Sequence, residues 1–157
     1  LLEETTDDVW ATQFQTNLLS AVQLTKILWP EFKKNNKGSV VNISSTLGLK
    51  PSANTGAYSA IKAAMINWTQ SLALEGGPYN IRANCICPGI VDTPIHPFHF
   101  LPAEFKKETT NQIAQLQLLS EIGKPSDIAE AVYFLASDLS HWTTGATLNI
   151  DGGINSK

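Results

Sequence analysis

The stretch SVVNIS, residues 39–44, decides the fold that this sequence predicts. It is a short, β-branched run after a polar turn at residues 35–38, which is typical of a buried strand. A stretch of small and apolar residues at 57–75 predicts a helix that ends at GGP, residues 76–78. A second strand-like run, IRANCIC, follows at residues 81–87. Strands that alternate with helices predict an α/β doubly wound parallel sheet with right-handed crossovers.

The same alternation continues on both sides of this unit. Apolar residues recur at helical spacing from Asp7 to about Lys34, and Pro30 is expected to bend or end that helix. Further helices are predicted from about Ala103 to Leu119 and after Pro125, and a last strand is predicted at residues 147–151. The sequence therefore predicts about three strands with flanking helices.

Composition excludes several classes of function. The chain has 157 residues and a net charge of -3, with no basic run, so we expect no nucleic-acid partner. Charged or polar residues interrupt every apolar stretch before it reaches membrane-spanning length, and the opening LLEETTDD does not resemble a signal peptide.

Cys85 and Cys87 are two residues apart on a predicted strand, too far apart for easy bridging, and no further ligand has metal-site spacing. We therefore expect a reducing, cytoplasmic location and no metal.

The helix at 57–75 carries a polar pair, Tyr58 and Lys62, on one face. A phenol ordinarily loses its proton near pH 10, and a neighbouring ammonium stabilises the phenolate. Such a pair can exchange a proton with an alcohol or ketone oxygen. The spacing alone is weak evidence, because chance gives such a pair in about one comparable chain in five. On the spacing alone, an exposed helix face is the better explanation of the pair.

Other polar residues are predicted to lie near this pair. Ser44 and Ser45 end the first strand, and PGIVDT, residues 88–93, follows the second strand at the edge where open α/β sheets bind ligands. Asn17 interrupts an otherwise apolar helix face. Each has an ordinary alternative: a turn for Ser45, a solvated position for Asn17, and a plain turn for Pro-Gly.

In this order, the motifs resemble those of the short-chain dehydrogenase/reductase family, in the form of 3-oxoacyl-carrier-protein reductases and sugar or steroid dehydrogenases. The resemblance covers residues 1–157. It rests on TNLLSAVQLTK with Asn17, GSVVNISSTLG with Ser45, YSAIKAA with Tyr58 and Lys62, IRANCICPGIVDT, GKPSDIAEAVYFLASD and GATLNIDGG. It implies a Rossmann-like, NAD(P)-binding domain.

The resemblance implies a role for each of these residues. Tyr58 would be the general acid/base during hydride transfer between NAD or NADP and a secondary alcohol or ketone. Lys62 would hold the nicotinamide ribose. Ser45, thirteen residues before Tyr58, would orient the substrate oxygen, and Asn17 would complete a proton relay from Lys62 through a water molecule. The nicotinamide carboxamide would be held around Pro88, Gly89, Val91 and Thr93.

The resemblance also implies a missing part. No Gly-x-x-x-Gly-x-Gly turn for the cofactor pyrophosphate occurs in the sequence. Residues 1–157 are therefore expected to be the C-terminal part of a single domain of roughly 250 residues. The alternative function is a non-catalytic fragment or oligomerisation remnant.

Two further expectations concern surfaces. The resemblance implies that the helices at 7–34 and 57–75 pack against a second copy, giving a homodimer or homotetramer. In the stretch HPFHF, His96 and His99 would need a third ligand to bind a metal. By resemblance, this stretch would instead form a substrate lid whose residues 98–101 could shape specificity. Loop residues that pack on the core are the alternative.

Overall fold

The computed structural model describes all 157 residues, and its centre is a three-stranded parallel sheet in the order β1-β2-β3. The strands are β1 at Gly38–Ile43, β2 at Ile81–Pro88 and β3 at Thr147–Ile150. In the central strand, Cys85 lies opposite Asn42 of β1 and Thr147 of β3. The predicted parallel α/β sheet is confirmed.

Five α-helices surround the sheet. They are α1 at Asp7–Phe14, α2 at Ser20–Asn35, α3 at Gly56–Gly76, α4 at Ala103–Ala114 and α5 at Pro125–Ala136. A π-helical turn, Gln15–Leu19, joins α1 to α2 without a break. None of the helices combines the length and the apolar composition needed to cross a membrane.

The two faces of the sheet are covered by different helices. Side chains along a strand alternate between the faces. Cys85 packs against Met65 of α3 on one face, and Ile86 packs against Leu135 of α5 on the other. Both β2 side chains are fully buried, so the central strand carries the core of both layers and the sheet is doubly wound.

The hand of one crossover differs from the prediction. The chain passes from β1 through α3 to β2 and then through α5 to β3, so both connections move the same way across the sheet. Because α3 and α5 lie on opposite faces, the two crossovers have opposite hands, and the prediction that all are right-handed is wrong for one. The right-handed preference arises where a twisted strand leads directly into its helix. After β2, by contrast, the chain runs through a long irregular segment and α4 before it reaches α5.

Of the two outcomes expected at Pro30, a bend or an end of the helix, the structure shows that the helix does not end there. It lies inside α2, which continues to Asn35 and ends where Asn36 adopts the left-handed conformation with φ 47°. Proline removes one backbone donor, so the carbonyl of Lys26 loses its helical partner. Both Lys26 and Pro30 are exposed, and that carbonyl can bond to water instead.

Helix α4 is shorter than predicted, since it ends at Ala114 rather than at Leu119. The backbone N–H groups of Leu118 and Leu119 both donate to the carbonyl of Gly152, at 2.8 and 2.9 Å. These bonds fix the segment after α4 to the loop that follows β3, and they replace the bonds that would have continued the helix.

A buried polar pair joins β1 to α3. The Asn42 Nδ2 donates to Thr69 Oγ1 at 2.9 Å, and the Thr69 hydroxyl donates to the Met65 carbonyl at 2.7 Å. Asn42 is 7% exposed and Thr69 is 1% exposed. Thr69 therefore satisfies a buried amide that has no access to water.

We expect Thr69→Val, which keeps the side-chain shape, to lower the free energy of unfolding by about 1–3 kcal/mol, because it leaves the Asn42 amide without its acceptor. Urea denaturation measures the change. The matched control is Thr110→Val, whose hydroxyl donates to Lys107 at the surface and whose loss should cost less than about 0.5 kcal/mol. Equal costs for the two variants would contradict the role given to Thr69.

Candidate active site

A cleft of about 920 Å³ opens at the carboxyl ends of β1 and β2. Its walls come from the loop after β1, the first turns of α3, the turn after β2 and the segment after β3. All eight residues singled out from the sequence line it: Asn17, Ser45, Tyr58, Lys62, Pro88, Gly89, Val91 and Thr93. The structure thus brings them together at the edge where parallel sheets bind ligands.

Lys62 provides a buried positive charge in this cleft. The residue is 8% exposed, and its Nζ donates to the carbonyl of Ile43 at the end of β1, at 3.0 Å. Burial lowers the pKa of Lys62 below its ordinary value, because desolvation disfavours the charged form. One of the three N–H donors is used by Ile43, which leaves two for another partner.

Tyr58 lies one helical turn before Lys62 on the same face of α3. The Lys62 Nζ is 5.6 Å from the centre of the Tyr58 ring. The tyrosine is half-buried and lines the cleft. A phenol and an ammonium therefore face the same space, as the spacing of the two residues predicts.

The two serines after β1 make different contacts. Ser44 is buried, and its hydroxyl donates to the backbone carbonyl of Lys62 at 2.7 Å. Ser45 is half-buried and its Oγ accepts the N–H of Leu47 at 3.1 Å, at the start of the short 3₁₀ turn Thr46–Gly48. The hydroxyl hydrogen of Ser45 is left to donate to a molecule in the cleft.

Gly48 brings this loop into contact with α3. A Cβ at Gly48 would lie 2.8 Å from the carbonyl carbon of Lys62, so no larger residue fits without movement of backbone. The loop that carries Ser45 can therefore lie directly on the turn of α3 that carries Lys62.

The turn after β2 is held from two sides. The Gly89 N–H donates to the Ile150 carbonyl of β3 at 2.9 Å, and Val91 forms an isolated β-bridge with Gly123. Pro88 is the last residue of β2. Thr93, two residues after Val91, places its Oγ1 3.5 Å from the Val91 carbonyl. This turn therefore offers a fixed backbone edge to the cleft.

Asn17 lies in the middle of the π-helical turn Gln15–Leu19 and is half-buried. Its Nδ2 donates to Gln13 Oε1 at 2.8 Å. Turns of this kind are rare and occur frequently at functional sites. Asn17 reaches the cleft, and its part in a proton relay stays a prediction.

The sequence did not indicate that the segment after β3 reaches the cleft. Gly152 and Gly153 have φ of +56° and +81°, and they turn the chain so that Ile154 and Asn155 line the cleft. The Asp151 carboxylate accepts the backbone N–H of Gly153 and of Asn155, at 2.9 and 3.2 Å. The Gly-Gly pair was the available signal, since glycine favours positive φ.

The residues expected to shape a lid are only partly placed at the cleft. Ile95 and His96 line it, whereas residues 98–101 do not. Phe98 is buried and Phe100 is 73% exposed. The His99 ring pairs with Asp92, and no group of three or more metal-binding side chains lies together. Residues 98–101 therefore do not line the cleft, and their effect on specificity stays a prediction.

Comparison with known proteins identifies the family. The family model described as enoyl-(acyl carrier protein) reductase matches residues 1–155. The chain belongs to the short-chain dehydrogenase/reductase family. The predicted family membership is confirmed.

Curated members of the family match almost all of this chain. It is 34% identical over 98% of its length to 3-oxoacyl-(acyl-carrier-protein) reductase FabG of Chlamydia trachomatis, and it spans 60% of that protein. It is 33% identical over 98% of its length to the Homo sapiens dehydrogenase/reductase SDR family member 4, and it spans 54% of that protein. The chain thus corresponds to between one half and two thirds of these relatives.

Two solved structures with a bound nicotinamide cofactor share the fold. ElxO with NADP bound superposes with a TM-score of 0.91 at 29% identity, over 100% of this chain and 62% of that one. The 4-hydroxyisoleucine dehydrogenase complexed with NADH superposes with a TM-score of 0.87 at 30% identity, over 99% of this chain and 63% of that one.

The different contacts of the two serines lead to a stability prediction for this short-chain dehydrogenase/reductase chain. Ser44→Ala removes a buried hydrogen bond, and we expect it to lower the free energy of unfolding by about 1 kcal/mol. Ser45→Ala should cost less than about 0.5 kcal/mol, because its hydroxyl only accepts one bond at a half-buried turn. Thermal or urea unfolding of both variants tests this order, and the reverse order would contradict it.

Proposed function

We propose that this chain carries the proton-transfer and nicotinamide part of the active site of an NAD(P)-dependent oxidoreductase that acts on a secondary alcohol or ketone. The observation that carries the proposal is the convergence of Ser45, Tyr58 and buried Lys62 in one cleft. Family membership supports it, and so do the two structural neighbours, which were solved with NADP and with NADH bound.

The residues around the cleft fit a nicotinamide cofactor, which when bound would supply the hydride chemistry. The two unused N–H donors of Lys62 suit the hydroxyls of a ribose. The backbone between Pro88 and Thr93 is anchored on Ile150 and Gly123, and it suits a carboxamide that needs fixed donors and acceptors. Both NAD and NADP carry this ribose and this carboxamide.

Tyr58 is proposed as the general acid/base. During reduction its phenol gives a proton to the carbonyl oxygen of the substrate, and during oxidation it takes the proton of the alcohol. The Lys62 ammonium, 5.6 Å from the ring, stabilises the phenolate that forms. Because Lys62 is buried, water screens its charge less than at the surface.

Ser45 and Asn17 are proposed to assist this proton transfer. The free hydroxyl hydrogen of Ser45 would donate to the substrate oxygen and hold it beside Tyr58. Asn17, in the π-helical turn, would complete a proton relay from Lys62 through a water molecule.

We also propose that residues outside this sequence bind the adenosine and pyrophosphate of the cofactor, and that residues 1–157 are the C-terminal part of one domain. The chain spans 54–60% of its curated relatives named above. The sequence holds no Gly-x-x-x-Gly-x-Gly turn. In addition, β1 pairs with β2 on one side only, so its outer edge is open to a further strand.

The variant Tyr58→Phe tests the proposed role of the phenol. It keeps the ring and removes the proton, so we expect kcat of the complete protein to fall by about 10²–10⁴-fold. Binding of NADH or NADPH should be nearly unchanged. Turnover is followed by cofactor absorbance with ketone substrates. The matched control is Tyr133→Phe on α5, whose residue is 69% exposed, and wild-type turnover by Tyr58→Phe would contradict the role.

The alternative function is a non-catalytic part that only associates with other subunits. It predicts that the complete protein binds neither NADH nor NADPH. Titration with each cofactor, followed by fluorescence, decides between the two functions. Saturable binding rejects the alternative, and no binding of either cofactor rejects the oxidoreductase.

We further propose a homodimer or homotetramer in the cytoplasm. Helices α1 and α2 expose a set of large apolar side chains between 42% and 75%: Val9, Phe14, Leu24, Ile27 and Leu28. A second copy that covers this face would remove them from water. The two cysteines are unpaired, which fits a reducing compartment.

Ile27→Glu tests the proposed interface. A charge at the most exposed apolar position of this face should shift the protein to a smaller species in sedimentation velocity, because burying an unpaired carboxylate is costly. The control is Phe105→Glu on α4, which changes a residue that is 61% exposed outside this face. An unchanged oligomer with Ile27→Glu would contradict the interface.

A further inference from the structure

Asp92 lies where the fixed turn after β2 gives way to the irregular segment of residues 93–102. Its backbone N–H donates to the Gly123 carbonyl at 2.9 Å. The preceding residue, Val91, is buried and bridged to Gly123. The backbone of Asp92 is therefore anchored on the body of the protein.

The Asp92 carboxylate binds two partners from further along the chain. Its Oδ1 lies 2.9 Å from His99 Nδ1, and its Oδ2 lies 2.8 Å from Lys106 Nζ. The three side chains are 28–35% exposed. Hydrogen bonds from Lys106 and His99 lower the pKa of Asp92, because they favour the ionised carboxylate. This is a charge-assisted cluster in a partly buried position.

The segment between these partners has few other attachments. Its backbone bonds stay local: the His96 N–H donates to Thr93 and the His99 N–H donates to His96, both at 3.0 Å. The Leu101 N–H donates to the Phe98 carbonyl at 3.3 Å, and the bond after it, from the Lys106 N–H to the Pro102 carbonyl, leads into α4. Phe98 is 6% exposed and anchors the segment by packing. The Asp92 cluster and Phe98 are thus its main attachments.

The position of this segment determines one wall of the cleft. Ile95 and His96 line the cleft. The His96 ring stacks on Phe98 with ring centres 4.9 Å apart and planes 9° from parallel. A shift of the segment would therefore move both wall residues with respect to Tyr58.

We propose that Asp92 is a positioning residue whose carboxylate ties the segment at His99 and the start of α4 at Lys106, and so fixes the wall formed by Ile95 and His96. The inference rests on the proposed function, since this wall acts on catalysis only if the cleft takes an alcohol or a ketone. Asp92 itself touches no reacting atom.

Hydrogen exchange of the full chain tests the attachment of Asp92 to His99 and Lys106, and it needs no measurement of enzymatic activity. Asp92→Asn should speed exchange of amides in residues 93–102 by about three- to tenfold, and the exchange rates of amides in the sheet should stay unchanged. Lys106→Met should act in the same direction. The matched control is Asp138→Asn, which breaks another carboxylate–lysine pair, Lys37–Asp138 at 2.9 Å, at the opposite end of β1. Unchanged exchange in residues 93–102, or an equal rise along the whole chain, would overturn the tie.

Kinetics of the complete protein test the positioning. With ethyl acetoacetate and the bulkier 1-decalone as probes, Asp92→Asn should raise KM about three- to tenfold and leave kcat nearly unchanged. Asp92→Glu should restore most of the wild-type KM, because it keeps the charge. Faster exchange with an unchanged KM would overturn the positioning role. A protein that binds no cofactor fails the proposed function instead, and hydrogen exchange then decides the tie alone.

Discussion

The buried ammonium of Lys62 connects the parts of the chain that build the cleft. Its Nζ bonds to the end of β1 at Ile43, its backbone carbonyl accepts the Ser44 hydroxyl, and Gly48 packs on its backbone. Helix α3, strand β1 and the serine loop are therefore fixed relative to one residue. A buried charge is costly unless it is bonded, and the bond to Ile43 lowers that cost while it leaves two donors for a ligand.

Much of the fold could be predicted because its signals are local. The β-branched run at 39–44 and the small, apolar stretch at 57–75 each have one suitable structure, and the structure places β1 and α3 there. The errors depend on contacts between distant parts of the chain. The end of α4 is set by the carbonyl of Gly152, and the hand of the second crossover depends on the long segment between β2 and α5. Neither is visible in local periodicity.

The candidate site likewise has some features that the sequence predicts and others that depend on distant contacts. Ser45, Tyr58 and Lys62 belong to recognisable motifs, so their convergence could be expected before the structure was known. The pairing of His99 with Asp92 could not be expected, because the spacing of the two histidines in HPFHF suggests His96 as the partner of His99. The wall that Ile154 and Asn155 contribute depends on how the chain turns after β3.

The π-helical turn Gln15–Leu19 inserts an extra residue into one continuous helix. Each added residue rotates the remainder of the helix by roughly 100°, so the two halves need not share one apolar stripe. Helix α1 contacts α3, whereas α2 contacts β1 and also packs Trp29 against the cluster that holds Leu72 of α3. Asn17 lies at the junction. Loss of the extra residue would rotate α2 relative to α1, and it would change both the contacts of α2 and the position of Asn17 at the cleft.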